Sequence, residues 1–97
     1  DRRKDFNTAA DALYIALDAF QYSITPKYPP PDVAMFIQVQ RTIGWFREKR
    51  FIKTADQFFR TIADLELVYT NKQFATYKDP TRLKEECHHV MKLLRHR

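Results

Sequence analysis

The sequence predicts an all-α fold: a bundle of four helices with antiparallel neighbours and short connections, one of them proline-rich. Three observations carry this expectation. Gly occurs once, at position 44, and Asn only at positions 7 and 71, whereas a β-rich domain of this size needs several tight turns that draw on Gly and Asn. Apolar residues recur every three or four positions over long stretches, the period of one helix face. The start of the last helix is spelled out by Asp79-Pro80, a capping carboxylate followed by a residue whose missing N–H costs nothing at the first helical position.

In the first helix, Phe6, Ala10, Leu13, Leu17, Phe20 and Ile24 form a single stripe. Asp5 or Asn7 can cap its start, and Ala9, Ala12, Ala16 and Ala19 on the flanks let a neighbour approach closely. Thr25-Pro26 ends it, because a residue before proline is pushed out of the α region. "PKYPPP" then makes a stiff, extended connection, and Asp32 caps the second helix.

That helix is expected over 32–49, with Val33, Phe36, Ile37, Ile43 and Phe46 on one face and Met35, Val39 and Trp45 widening it. Gly44 lies inside it at a cost of about 1 kcal/mol relative to Ala. Thr54 is read as the cap of the third helix, which carries Ala55, Phe58, Phe59, Ile62, Leu65, Val68 and Tyr69 and frays between Asn71 and Tyr77. The fourth helix buries Leu83, Cys87, Val90, Met91 and Leu94, and presents Lys84, Glu85, His88, Lys92 and Arg95 to solvent. Its basic C-terminus suits the helix dipole.

The 97 residues are read as a single helical domain, 1–97, and the initial Asp1 suggests a fragment of a larger protein. A lone cysteine excludes an intramolecular disulfide and suits a reducing, intracellular compartment, nuclear or cytoplasmic. Apolar runs such as Val33 to Ile37 are far too short to span a membrane. Of the net charge of +5, residues 33–53 hold five basic groups against one acidic, and residues 79–97 five against three. Such a surface attracts phosphate or acidic peptides.

Motifs for catalysis are sparse. One glycine excludes a phosphate-cradling loop. Ser23 has no glycine elbow and no nearby His. Cys87 adjoins His88 and His89, but it falls on the buried stripe, where a cysteine acts as a small apolar residue. Glu86 and His89 form one Glu-x-x-His pair, and a di-iron bundle needs that motif on two helices. The expectation is a polar face, with Glu85 and His89 paired. Asp11, Asp18, Asp56 and Asp64 read as solvated carboxylates. "PKYPPP" reads as a rigid connector rather than a Pro-rich ligand, and Thr25-Pro26 is a weak signal for proline-directed phosphorylation. No enzyme activity, cofactor or metal is expected.

The stretch "GWFREKRFIK" carries the most information about function. Arg41, Arg47, Lys49, Arg50 and Lys53 fall within thirteen positions and are interleaved with Trp45, Phe46 and Phe51. With the following helix, "TIGWFREKRFIKTADQFFRTIADLELVY" resembles part of the helical bundles at the N-terminus of transcription elongation factor S-II and its relatives. Those bundles have a Thr and an Ile/Val-Gly pair, a basic elbow and an Ala-rich amphipathic helix. The likeness covers about thirty residues, and the family's Trp late in the last matched helix is replaced by Leu67 or Tyr69. The resemblance implies a link to transcription or chromatin and binding of short disordered peptides from other transcription proteins.

The residues themselves suggest a non-catalytic protein–protein interaction module of scaffold or adaptor type. It would take a peptide or amphipathic helix of a partner, with Trp45, Phe51 and Tyr69 as aromatic anchors and Arg47, Lys49 and Arg50 steering acidic residues. The alternative is a nucleic-acid-binding domain using Arg41, Arg47, Lys49, Arg50, Lys53, Lys92, Arg95 and Arg97, its aromatics stacking on unpaired bases. Self-association through the wide apolar face of the second helix is a further option.

Overall fold

A computed structural model of the chain describes residues 2–25, 29–65, 67–69 and 75–95. Four helices pack as a bundle: α1 Arg2–Gln21, α2 Val33–Thr42, α3 Trp45–Asp64 and α4 Pro80–Lys92. Between α3 and α4 stands a two-stranded antiparallel ribbon, β1 Leu67–Tyr69 and β2 Ala75–Tyr77, in which Val68 pairs with Thr76. Among the described residues no helix is long and apolar enough to cross a membrane.

Each helix lies antiparallel to the next. Ala12 and Met35 at one end of a groove, and Asp5 and Thr42 at the other, set α1 against α2. Gln40 reaches Glu48 across the tight α2–α3 corner. The start of α3 meets the end of α4 where Arg47 bonds the Leu93 carbonyl. Gln21 of α1 bonds His88 of α4, while Tyr14 lies near Arg95.

The predicted stripes of α1 and α4 form the core. Phe6, Ala10, Leu13, Leu17 and Phe20 are buried, as are Leu83, Cys87, Val90, Met91 and Leu94. An aromatic cluster joins three helices. Phe36 packs against Phe51, Phe58 and Phe59, and Phe58 meets Phe20 of α1 edge-on, with ring centroids 6.3 Å apart. Two of the four predicted caps form, while α1 starts at Arg2 and so takes Asp5 and Asn7 into its interior. The Asp32 carboxylate accepts from the Ala34 N–H at 3.1 Å, and that of Asp79 from the Thr81 N–H at 3.2 Å.

The middle of the chain departs from expectation. The second helix stops at Thr42 instead of running to residue 49. Ile43 and Gly44 are extended, with ψ of 138° and 150°, and both are buried. A β-branched residue followed by the chain's one glycine is the weakest helical pair in the stretch. The bundle exploits it to reverse direction. Thr54 is therefore no cap. It lies in the third turn of α3, and its hydroxyl donates to the Arg50 carbonyl. After the break Val33, Ile37 and Phe46 no longer share the buried face, and all three are exposed. The third helix ends at Asp64, so Val68 and Tyr69 belong to a strand rather than to its apolar stripe. Part of the proline connector, Pro26 to Tyr28, lies outside the described residues.

Candidate partner-binding groove

The N-terminal half of α3 and the C-terminal half of α4 face each other along a groove of about 540 Å³. On α3, Arg50, Thr54 and Gln57 recur at three- and four-residue spacing and so share the side toward α4, with Lys53 at the outer rim. On α4, Glu86, His89 and Leu93 do the same, with Lys92 beside them. At the elbow end the groove runs into a second hollow lined by Ile43, Phe46, Arg47 and Arg95. Arg50, Lys92 and Leu93 border both hollows.

The two charge-rich segments of the sequence thus meet in space. Arg50, Lys53, Lys92 and Arg95 are all exposed. The carboxylate in the groove, Glu86, lies 3.5 Å from His89, and the described residues lining the elbow end include cations and no carboxylate. Arg47 is half-buried and structurally engaged. Its guanidinium donates to the Leu93 carbonyl at 3.0 Å and lies 5.5 Å from the centre of the Phe6 ring. It ties the end of α4 to the starts of α1 and α3.

The predicted aromatic anchors are redistributed. Trp45 is 82% exposed and stands edge-on to Phe46, ring centroids 6.0 Å apart. Phe51, expected as a surface anchor, is 1% exposed and belongs to the core cluster with Phe36. Phe46, expected in the core, is 68% exposed and lines the hollow. Residues five apart on a helix point about 140° apart, so Phe46 and Phe51 cannot share a face, and that spacing was a usable signal. Arg41 lines a separate groove between α1 and α2, with Ala9, Ala12 and Met35. Lys49 is exposed and borders neither hollow. Arg97 and the side chain of Tyr69 lie outside the described residues.

The "ECHH" segment is spread around α4. Burial, with a smaller contribution from the Glu86 charge, pushes the Cys87 thiol up to about 12, so the thiolate that a nucleophile needs is scarce at neutral pH. His88 bonds Gln21 of α1. His89 pairs with Glu86, one turn back, where pairing with Glu85 was expected. Among the described residues no three His, Cys, Asp or Glu side chains are placed to hold a metal ion. Asp56 is paired with Arg60 at 2.9 Å, and Asp18 accepts from Gln21.

The strand at 67–69 interrupts the helix that the likeness to elongation factor S-II bundles extends over those positions. Comparison with protein-family models, with curated proteins and with solved structures finds no match to this chain.

Proposed function

We propose that this domain is a non-catalytic interaction module that takes an acidic, amphipathic segment of a protein partner into the α3–α4 groove. One observation supports the reading above all. Cations from two segments far apart in sequence, Arg50 and Lys53 on α3 and Lys92 and Arg95 at the end of α4 and just beyond it, line two adjoining hollows, the second of which holds exposed Phe46. Cations on a groove wall raise the encounter rate with an acidic segment and orient it. Exposed Phe46 and half-buried Leu93 supply the apolar contact that fixes register, and aromatic residues at such positions carry much of the binding energy. Trp45 stands edge-on to Phe46 outside the hollows. Arg47 holds the groove in shape rather than gripping the partner. A buried, unreactive thiol suits a reducing intracellular compartment.

A second reading is favoured by the same cations lying beside an exposed aromatic. A single-stranded nucleic acid would put phosphates along Arg50, Lys53, Lys92 and Arg95 and stack a base on Phe46. A titration of acidic amphipathic peptides and labelled oligonucleotides against the wild type and an Arg50→Glu/Lys92→Glu double variant separates the two. The peptide reading requires micromolar peptide binding that the variant weakens about tenfold or more. Oligonucleotide binding with no peptide binding would replace it with the second reading.

A further inference from the structure

The face opposite the basic groove, formed by α2 and α3, carries its own pattern. Gln40 reaches Glu48. One turn back on α2 and one turn on along α3 brings Ile37 to the level of Ile52. Both are exposed, at 41% and 43%, as are Val33 on α2 and Trp45 on α3. Trp45 and Ile52 stand seven residues apart on α3, and Phe59, seven further on, is half-buried against Phe36. Exposed apolar side chains at that spacing share one helix face and leave it open to a further helix.

We infer that this face pairs with a second copy of the chain, α3 against α3, antiparallel about a two-fold axis between Ile52 and Lys53. Charge complementarity selects that occupant and that register. Lys49 and Asp56 lie on the same flank of the seam, one on each side of the axis and equally distant from it. The two-fold axis therefore sets Lys49 of each copy opposite Asp56 of the other, twice per dimer. A parallel pairing would set like against like. Trp45 and Arg60 are likewise equidistant from the axis, so the indole of one copy meets the guanidinium of the other, a favourable cation–π partner. Within each copy Asp56 lies 2.9 Å from Arg60, and both side chains are exposed. Four isoleucines, Ile37 and Ile52 from each copy, close over the axis itself. Such an interface is isologous and stops at two copies.

The seam runs about 22 Å along α3, from Trp45 to Arg60, and about 6 Å along α2, from Val33 to Ile37, each about 10 Å wide, giving about 560 Å² in total over both copies. That area belongs to weak, concentration-dependent dimers. The basic α3–α4 groove lies on another face of each bundle and stays open, so the dimer presents two grooves. The pairing does not depend on what those grooves bind.

Sedimentation velocity from about 5 to 500 µM, read alongside the emission of Trp45, the chain's one tryptophan, tests this. The wild type should pass from monomer to dimer with a blue shift of Trp45 emission. Lys49→Glu sets Glu against Asp56, and Asp56→Lys sets Lys against Lys49. Each should raise the dimerisation midpoint about tenfold, since an exposed pair changes from attraction to repulsion at two sites. An equimolar mixture of the two variants restores both pairings and should dimerise like the wild type. Both residues are exposed, and matching circular dichroism spectra establish that the variants fold. A wild type that stays monomeric throughout would overturn the inference. So would charge reversals that leave the midpoint unchanged, or a mixture that associates no better than either variant alone.

Discussion

The Arg47 guanidinium donates to the Leu93 carbonyl at 3.0 Å while its central carbon lies over the Phe6 ring, 5.5 Å from the ring centre. One side chain thus joins three helix ends and satisfies a carbonyl that the last turn of α4 leaves without an intrahelical partner. Arg47→Ala should destabilise the domain by about 1–3 kcal/mol, the value of a charge-assisted hydrogen bond with a cation–π contact. That corresponds to a melting-temperature drop of roughly 4–8 °C for each kcal/mol. Thermal unfolding followed by circular dichroism checks it, and an unchanged midpoint would contradict this stabilising role.

The two phenylalanines at the elbow should respond in opposite ways. Phe51→Ala opens a cavity among Phe36 and Phe58 and should cost about 3–5 kcal/mol. Phe46→Ala removes an exposed ring and should change stability by less than about 0.5 kcal/mol. It should weaken binding of the acidic segment instead. Chemical denaturation and a binding titration on the same two variants separate packing from recognition.

Cys87 should resist thiol reagents in the folded protein and react at once on unfolding, because burial holds its pKa near 12. The sign of the pH effect follows. The folded state keeps the proton to higher pH than the unfolded state, whose thiol titrates near 9. The unfolded state therefore binds fewer protons between these values, and stability falls as pH rises from about 9 to 12. Below pH 9 this group contributes no pH dependence. Unfolding curves across that range, with Cys87→Ala as the reference, test the assignment.

Where the sequence speaks through local periodicity it is legible. Both long stripes, on α1 and α4, are the buried faces, and Asp32 and Asp79 cap as expected. The break at Ile43–Gly44 was hidden because a single glycine costs a helix only about 1 kcal/mol. Tertiary packing can tolerate that or use it to turn the chain. Thr54 misled for a related reason. A threonine hydroxyl serves as an N-cap or bonds the carbonyl four residues back, and only the run of the backbone decides which. The ribbon at 67–77 escaped notice because its strands are three residues each, too short to show alternation. The cations of the candidate groove were all visible as residues. That Arg50 faces Lys92, while Arg41 and Lys49 turn away, depends on how α3 packs on α4, which no local pattern records.

The most direct test of the central claim is a fluorescence-anisotropy titration of the domain with a labelled acidic amphipathic peptide and, in parallel, labelled single-stranded and duplex DNA, at low and physiological salt. Saturable peptide binding in the micromolar range is expected, weakened about tenfold or more in Arg50→Glu/Lys92→Glu and only modestly at physiological salt. Peptide binding that the double variant leaves unchanged, or no peptide binding even at low salt, would contradict the proposal.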